Sequence, residues 1–369
     1  MKIGIPKEIK QGENRISITP GGVKELCQLG HELYVQTNAG IGSGFTNDAF
    51  RLAGATLLDN AAEIFSHCEL IMKVKEPLPE EYKLLKPHHI LFTYLHLASS
   101  LELTNALIDS GSTCIAYETV EKPDRSLPLL APMSEVAGRM ATQQGAWFLE
   151  KQNGGKGVLL GGVPGITAAK VVVLGGGTVG TQAARIAAGM GAQVILLDIN
   201  FNRLRYLDEV MPKNVQTLVS NVDHIEQALH NADLIIGAVL VPGDKAPMVV
   251  TKEQVKSLAP GTVIVDVAVD QGGCIETTRH TSHQDPTYEV NGVLHYCVPN
   301  MPGAVPRTST MALSATTLPY IKLIANKGYK EACKLAPELS KGLNVVNGHI
   351  VYESVAKCFN LPYNDSIVL

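Results

Sequence analysis

Aromatic side chains are scarce in this 369-residue sequence: they make up 5% of it, with a single tryptophan. Glycine, by contrast, occurs 34 times. That balance argues against an all-β sandwich and suits closely packed layers of strands and helices. An excess of one charge is also lacking. The 31 basic and 35 acidic residues leave a formal charge of −4, with no basic tract or stripe, so nucleic acid finds no electrostatic footprint. No apolar run approaches the ~20 residues that a bilayer crossing needs. The seven cysteines are scattered, with no CxxC pair and no Cys/His metal spacing. Neither a disulfide framework nor a metal site is expected, and the odd set points to reduced thiols in a cytosolic protein. The start, MKIGIPKEIKQGENR, is charged early and has no apolar core, so no secretory signal is expected.

What is present is the makings of two α/β domains. Hydrophobic residues make up 45% and charged residues 18%, the balance of a soluble globular chain. The length exceeds the ~250–300 residues at which single cores split. In the first part, the strand-like runs KIGIP, ELYVQ, LIMKVK, ILFTYL and TCIAYET alternate with helical patterns at 22–29, 48–53, 61–67 and 101–109. Such alternation means parallel pairing through crossover helices. Residues 121–132 read as a linker and 133–152 as a long helix. A second alternation follows, with strands VVVLG, VILLD, VQTLVS, DLIIGAVLV and TVIVDVAVD. These are continuous apolar runs, as strands covered on both faces should be. From 307 a long helical pattern runs to about 326, and the remaining tail has too few strands for a sheet of its own. It is expected to pack back onto the first domain.

The segment 170–199 carries the most specific motif. A strand runs into Gly175-Gly-Gly177-Thr-Val-Gly180, a helix follows, and the next strand ends in Asp198. Gly175 serves a tight turn, Gly177 lets backbone approach a pyrophosphate, and Gly180 lets helix and strand pack closely. The helix N-terminus offers free N–H groups and a partial positive charge. The full context, with an acid 18 residues beyond Gly180, makes this a dinucleotide fingerprint rather than a bare glycine turn. A 2′-phosphate would meet the Asp198 carboxylate, which favours NAD over NADP. Arg203 and Arg205 nearby weaken that preference. The other strand ends, at Ser220, Val239-Leu240 and 267–270, should complete the cofactor crevice.

Several polar residues could do chemistry. Arg15 is a natural bidentate carboxylate partner, although position alone reads it as a surface arginine. Lys75 ends the run LIMKVK; a lysine reaching into a cleft and a solvated pair with Lys73 are equally open. His96, ending ILFTYLH, suits either a general acid or a helix-capping or core role. Asp270 ends TVIVDVAVD and faces the cofactor crevice, whereas Asp266 reads as structural. Asn300, in VPNMPGAVP, is either a hinge or part of the nicotinamide pocket.

Taken together, IGIPKEIKQGENRISITP, IMKVKEP, LFTYLHLA, APMSEVAGRMATQQGA, LGGGTVG, VIVDVAVDQGG and YCVPNMPGAVPRTST resemble the bacterial alanine dehydrogenases. The resemblance spans essentially the whole chain. It extends in pattern to the soluble NAD-binding part of proton-translocating transhydrogenases. It implies an α/β fold of two Rossmann-like domains with parallel sheets, a cleft between them and two long connecting helices. Residues 1–130 plus 307–369 would form the catalytic (substrate) domain and 131–306 the NAD-binding domain. Arg15 and Lys75 would bind substrate, His96 would donate the proton, and Asp270 would be the second catalytic residue. NAD contacts would fall on Ser134, Thr178, Val179, Asp198, Arg203, Ser220, Val239, Leu240, Val267, Ala268, Val269, Asp270, Arg279, Val298, Pro299, Asn300 and Met301. The family often has lysine where this chain has Arg203. The implied activity is reversible NAD-dependent oxidative deamination of L-alanine to pyruvate and ammonium, by a cytoplasmic homohexamer without a metal. Two other readings remain: an NAD(H)-binding transhydrogenase subunit, and a non-catalytic NAD-binding protein. Selectivity among small amino acids is open.

Overall fold

Short apolar runs punctuated by caps and turns set the strand order of this chain. The computed structural model describes residues 1–239, 246–364 and 366; Leu240, named above, lies outside them. Six strands come first: β1 (Lys2–Ile5), β2 (Glu32–Gln36), β3 (Thr56–Leu58), β4 (Leu70–Met72), β5 (Ile90–Thr93) and β6 (Thr113–Ala116). Seven follow: β7 (Lys170–Leu174), β8 (Gln193–Asp198), β9 (Val215–Val219), β10 (Leu234–Gly237), β11 (Val263–Asp266), β12 (Thr287–Val290) and β13 (Val293–Tyr296). The tail adds β14 (Leu343–Val346) and β15 (His349–Ile350). The chain divides into two units, Met1–Met133 with Val305–Leu369, and Ser134–Ala304.

The first unit holds a sheet of order β3-β2-β1-β4-β5-β6-β14-β15. Strands β1 to β6 pair in parallel, while β14 and β15 run antiparallel at the edge. Side-chain alternation divides the core between its faces. Ile3, Ile5, Leu70, Met72, Phe92 and Ile115 join one buried cluster, and Ile71, Leu91, Cys114 and Ala116 join another. Covered on both sides, these strands have no polar face to show water. The flanking helices carry ordinary signals. Thr19 caps Pro20–Gln28 by accepting from the Gly22 amide at 3.3 Å, and Ser100 caps Leu101–Ser110.

The second unit holds a sheet of order β9-β8-β7-β10-β11-β13-β12, parallel except for β12. Counting only the parallel strands along the chain, both sheets follow the order 3-2-1-4-5-6 of doubly wound folds. Each therefore reverses direction at one place: between β1 and β4 in the first, and between β7 and β10 in the second. Ligands bind outside the carboxyl ends of the strands at such points.

Three departures from the sequence expectations have local causes. The run expected as one strand to Asp270 stops at Asp266, and Val267–Gln271 is a 3-10 turn. Asp266 causes the stop: its Oδ1 accepts from the Ala268 amide at 3.0 Å and caps that turn. The β12–β13 hairpin is an addition, closed by Asn291 and Gly292 at φ 52° and 80°. The edge pair β14–β15 turns likewise on Asn347 and Gly348, at φ 49° and 79°. Positive φ at both central residues is what a tight hairpin needs, and Asn-Gly supplies it. The tail helix Pro306–Leu335 is broken at Gly328, two residues beyond the expected end near 326. Among the described residues no helix is long and apolar enough to cross a membrane.

Candidate active site

In the second unit the fingerprint glycines do three different things. Gly175 has φ 100°, and a Cβ there would lie 2.7 Å from the Ala238 carbonyl oxygen at the end of neighbouring β10. A Cβ on Gly180 would lie 1.8 Å from the Gly175 carbonyl oxygen, an impossible contact. A Cβ on Gly177 would meet no described atom within 4 Å. Two glycines are thus demanded by the protein's own packing, and the third opens onto free space. Gly177 is also the N-cap of Thr178–Gly189, with no side chain capping the first-turn amides that Thr178 and Val179 begin. Open space before uncapped N–H groups fits a pyrophosphate.

The remaining cofactor candidates surround that loop. Asp198 ends β8; its Oδ2 accepts from the Gly176 amide and its Oδ1 from the Asn200 amide, each at 2.7 Å. Arg203 donates through Nε to the Gly176 carbonyl and through Nη2 to Thr181 Oγ1, each at 2.7 Å, with Tyr206 beneath it. It braces the glycine loop instead of pairing with Asp198. Ser220 follows β9, and its amide reaches the Asp198 carbonyl at 2.9 Å. Val239 follows β10. In the 3-10 turn Val267–Gln271, Ala268 and Val269 are buried and Asp270 is exposed. Asp266 is 1% exposed and takes hydrogen bonds from Ala268, Cys274 and Thr278, a structural set; burial still raises its pKa. Arg279 stacks on Tyr288 at 4.0 Å. Val298 and Met301 are buried, Pro299 is half-buried, and Asn300 takes φ 53° between them. Ser134 is half-buried in the helix Ala131–Phe148.

In the first unit, Arg15, Lys75 and His96 all stand beyond the carboxyl ends of strands, after β1, β4 and β5. Arg15 is 2% exposed, which overturns the surface reading. Its Nε and Nη2 form a fork on Glu13, at 2.7 and 2.5 Å, and its Nη1 faces Met133 Sδ at 3.2 Å. Burial opposes the Glu13 charge, but the guanidinium outweighs it and holds this carboxyl below the usual range. Lys73 and Lys75 part company. Lys73 is buried between Glu8 at 3.1 Å and Glu81 at 2.9 Å, so it is not a solvated lysine. Burial works against its charge, yet the two carboxylates prevail and raise its pKa. Lys75 is half-buried, and its ammonium pairs with no described residue. Burial, then the charge of Arg15, push its pKa down. Its backbone is anchored by Glu8 Oε1, which accepts from the Val74 amide at 2.6 Å and the Lys75 amide at 3.3 Å.

His96 presents an exposed ring on a backbone of φ 48° and ψ 40°. Its imidazole stacks on Tyr94, with centroids 5.9 Å apart and planes 9° apart. The Tyr94 hydroxyl donates to the Leu129 carbonyl at 2.6 Å, and burial raises its pKa while Arg15 opposes. Tyr94 thereby links the neighbourhoods of Arg15 and His96. Three residues here were not among the sequence candidates: Glu8, Glu13 and Glu118. Glu13 lay in view, two residues before a candidate arginine, while the other two are long-range partners. Among the described residues no cluster of His, Cys, Asp and Glu could hold a metal ion.

With this geometry in hand, the relatives of the chain are informative. The pattern described as "Alanine dehydrogenase/PNT, N-terminal domain" matches residues 4–137, and that of the C-terminal domain matches residues 141–353. An alanine dehydrogenase of Methanococcus maripaludis is 58% identical over 98% of this chain and 98% of its own length. A solved L-alanine dehydrogenase superposes with a TM-score of 0.94 at 54% identity, covering 98% of this chain and 99% of that one. A transhydrogenase structure from Sinorhizobium meliloti shares the fold, with a TM-score of 0.82 at 23% identity over 95% of this chain and 99% of that one. The chain belongs to the alanine dehydrogenase/PNT family.

Proposed function

We propose that this protein is an NAD-dependent L-alanine dehydrogenase, interconverting L-alanine, NAD⁺ and water with pyruvate, ammonium, NADH and a proton. The observation that carries the reading is the set beyond β1, β4 and β5: a buried guanidinium, a lysine whose ammonium pairs with no described residue, and an accessible histidine. That set is what a small 2-oxo acid requires, and a nucleotide-to-nucleotide transfer has no use for it.

Each residue then has a role. Arg15 binds the substrate carboxylate, its guanidinium held in place by the fork on Glu13. Such a clamp fixes the reacting carbon, and alignment supplies much of the rate. Lys75 places N–H donors beside the carbonyl oxygen, where negative charge develops. His96 carries the proton to and from that oxygen as water adds and ammonia leaves. Asp270 orients the water or ammonia. Bound NAD would supply the hydride acceptor or donor for the substrate Cα. Gly175, Gly177 and Gly180 with Thr178 and Val179 receive its pyrophosphate, and Asp198 its adenosine ribose. Ser134, Arg203, Ser220, Val239, Leu240, Val267, Ala268, Val269, Arg279, Val298, Pro299, Asn300 and Met301 complete the cofactor set. The residues 1–130 plus 307–369 serve the substrate and 131–306 the nucleotide, in a cytoplasmic homohexamer.

The deciding assay is NADH formation across a panel of L-amino acids, with NADP⁺ in parallel and no second nucleotide present. L-Alanine with NAD⁺ is expected to give the highest rate. Absence of activity with alanine would overturn the proposal. Light scattering of the purified protein measures the assembly.

A further inference from the structure

His96 holds a conformation that its own chemistry does not favour. A left-handed backbone is strained for a residue with a Cβ and persists where its surroundings impose it. At this site the surroundings can be named. Strand β5 ends at Thr93, so the amides of Leu95 and His96 have no ladder partner. Both turn to one carboxylate. Glu118 Oε1 accepts from the His96 amide at 2.6 Å and from the Leu95 amide at 3.1 Å, and Oε2 lies 3.2 Å from the Leu95 nitrogen. On the other side, the His96 carbonyl accepts from the Ser99 amide at 3.0 Å and the Ser99 hydroxyl at 2.7 Å.

Topology explains why Glu118 can do this. Strand β6 lies beside β5 with Ala116 opposite Thr93. Two residues past each of these come Glu118 and Leu95, so neighbouring strand ends deliver the carboxylate to the turn. Glu118 Oε1 is 3.9 Å from His96 Nδ1, too far for a hydrogen bond to the ring. Its hold on His96 is therefore through the backbone. The ring is aimed by that backbone and by the stacked Tyr94.

We propose that Glu118 is a positioning residue for the reaction: its carboxylate clamps the Leu95 and His96 amides and so fixes the direction of the imidazole. The proposal rests on the reading of His96 as the proton-transferring group. Glu118 needs to touch no substrate to matter, because its effect passes through His96.

The test compares Glu118→Gln, Glu118→Ala and His96→Ala, alone and combined, in the full-length enzyme reducing pyruvate with NADH and ammonium. Glutamine keeps one oxygen for both amides, and its turnover should stay within about tenfold of the parent. Alanine removes the clamp; kcat should fall about 100-fold, with KM for NADH unchanged. In the His96→Ala background, adding Glu118→Ala should change kcat less than about twofold, since residues acting as one unit are not additive. Equal losses with and without His96, or an active Glu118→Ala enzyme, would overturn the proposal. A fully active His96→Ala enzyme would instead remove the proton-transfer role from His96, and with it the catalytic consequence of the clamp. The clamp itself is read separately by hydrogen exchange: the Leu95 and His96 amides should lose protection in Glu118→Ala and keep it in Glu118→Gln.

Discussion

Gly177→Ala separates binding from folding more cleanly than any other change in the glycine loop. The added methyl would meet no described atom within 4 Å, and the backbone there, φ −66° and ψ −165°, suits any L residue. Replacing glycine at a compatible site stabilises by about 0.4–1 kcal/mol through the unfolded chain. Alanine is also a poorer N-cap than glycine by a few tenths of a kcal/mol or more. The two effects nearly offset, so the melting temperature should move by less than about 4 °C. Binding should respond quite differently. The methyl would stand where a pyrophosphate approaches the uncapped helix, and it would cost about 2–3 kcal/mol by displacing charge-assisted hydrogen bonds. That corresponds to a Kd for NADH weakened about 30- to 150-fold. Calorimetry and an NADH fluorescence titration on the same sample measure both quantities. Gly180→Ala is the contrast: with a backbone oxygen 1.8 Å from the new carbon, it should lose about 3 kcal/mol of stability. If Gly177→Ala bound NADH like the parent, the open space before the helix would not be the pyrophosphate seat.

The two lysines of the β4 end should separate in the same way. Lys73→Met leaves Glu8 and Glu81 buried without their cation and should cost about 3–5 kcal/mol in urea unfolding. Lys75→Met breaks no ion pair, so its unfolding midpoint should stay near the parent's while KM for pyruvate rises about 10- to 100-fold. Glu13 gives a pH signature. Its folded pKa lies below the ordinary carboxylate value of 4.5, so the unfolded chain binds more protons between the two values. The stability it contributes is present above about 4.5 and is lost as pH falls through the folded value. Glu13→Gln should therefore be less stable than the parent at pH 7, with a difference that narrows in acid. A constant difference from pH 7 to 3 would refute the assignment of that acid sensitivity to Glu13.

Periodicity made the sheets legible but not their edges. Runs such as VVVL and VIV are apolar at every position because both faces are covered, and they need no tertiary information to recognise. The pairs β12–β13 and β14–β15 were harder to see, being short and partly polar, although each contains an Asn-Gly turn. The end of β11 was misplaced for a more local reason. In VIVDVAVD the hydrophobic pattern continues through Val267 and Val269, but the Asp266 side chain captures the Ala268 amide and ends the strand. Hydropathy does not register a side chain competing for backbone hydrogen bonds.

The candidate site divides along the same line. Gly180 and Asp198 are readable because their partners, Gly175, Gly176 and Asn200, lie within a short stretch of one βαβ unit, so spacing along the chain stands in for distance in space. The acid residues that organise the first unit are not readable that way. Glu8 reaches across 66 residues to Val74, and Glu118 across 22 to His96. Each joins neighbours in the order 3-2-1-4-5-6, which only the assembled sheet reveals. The same distinction explains why Lys73 and Lys75 looked alike. They share a parity and a composition, and what separates them is a pair of carboxylates brought by the segment after β1 and by the helix Pro79–Tyr82. Acids thus hold the groups beyond the strand ends: the buried Glu8 on the Val74 and Lys75 amides, the buried Glu13 on Arg15 and the half-buried Glu118 on the Leu95 and His96 amides. The first unit anchors Arg15, Lys75 and His96 through carboxylates in the segments that follow its strands.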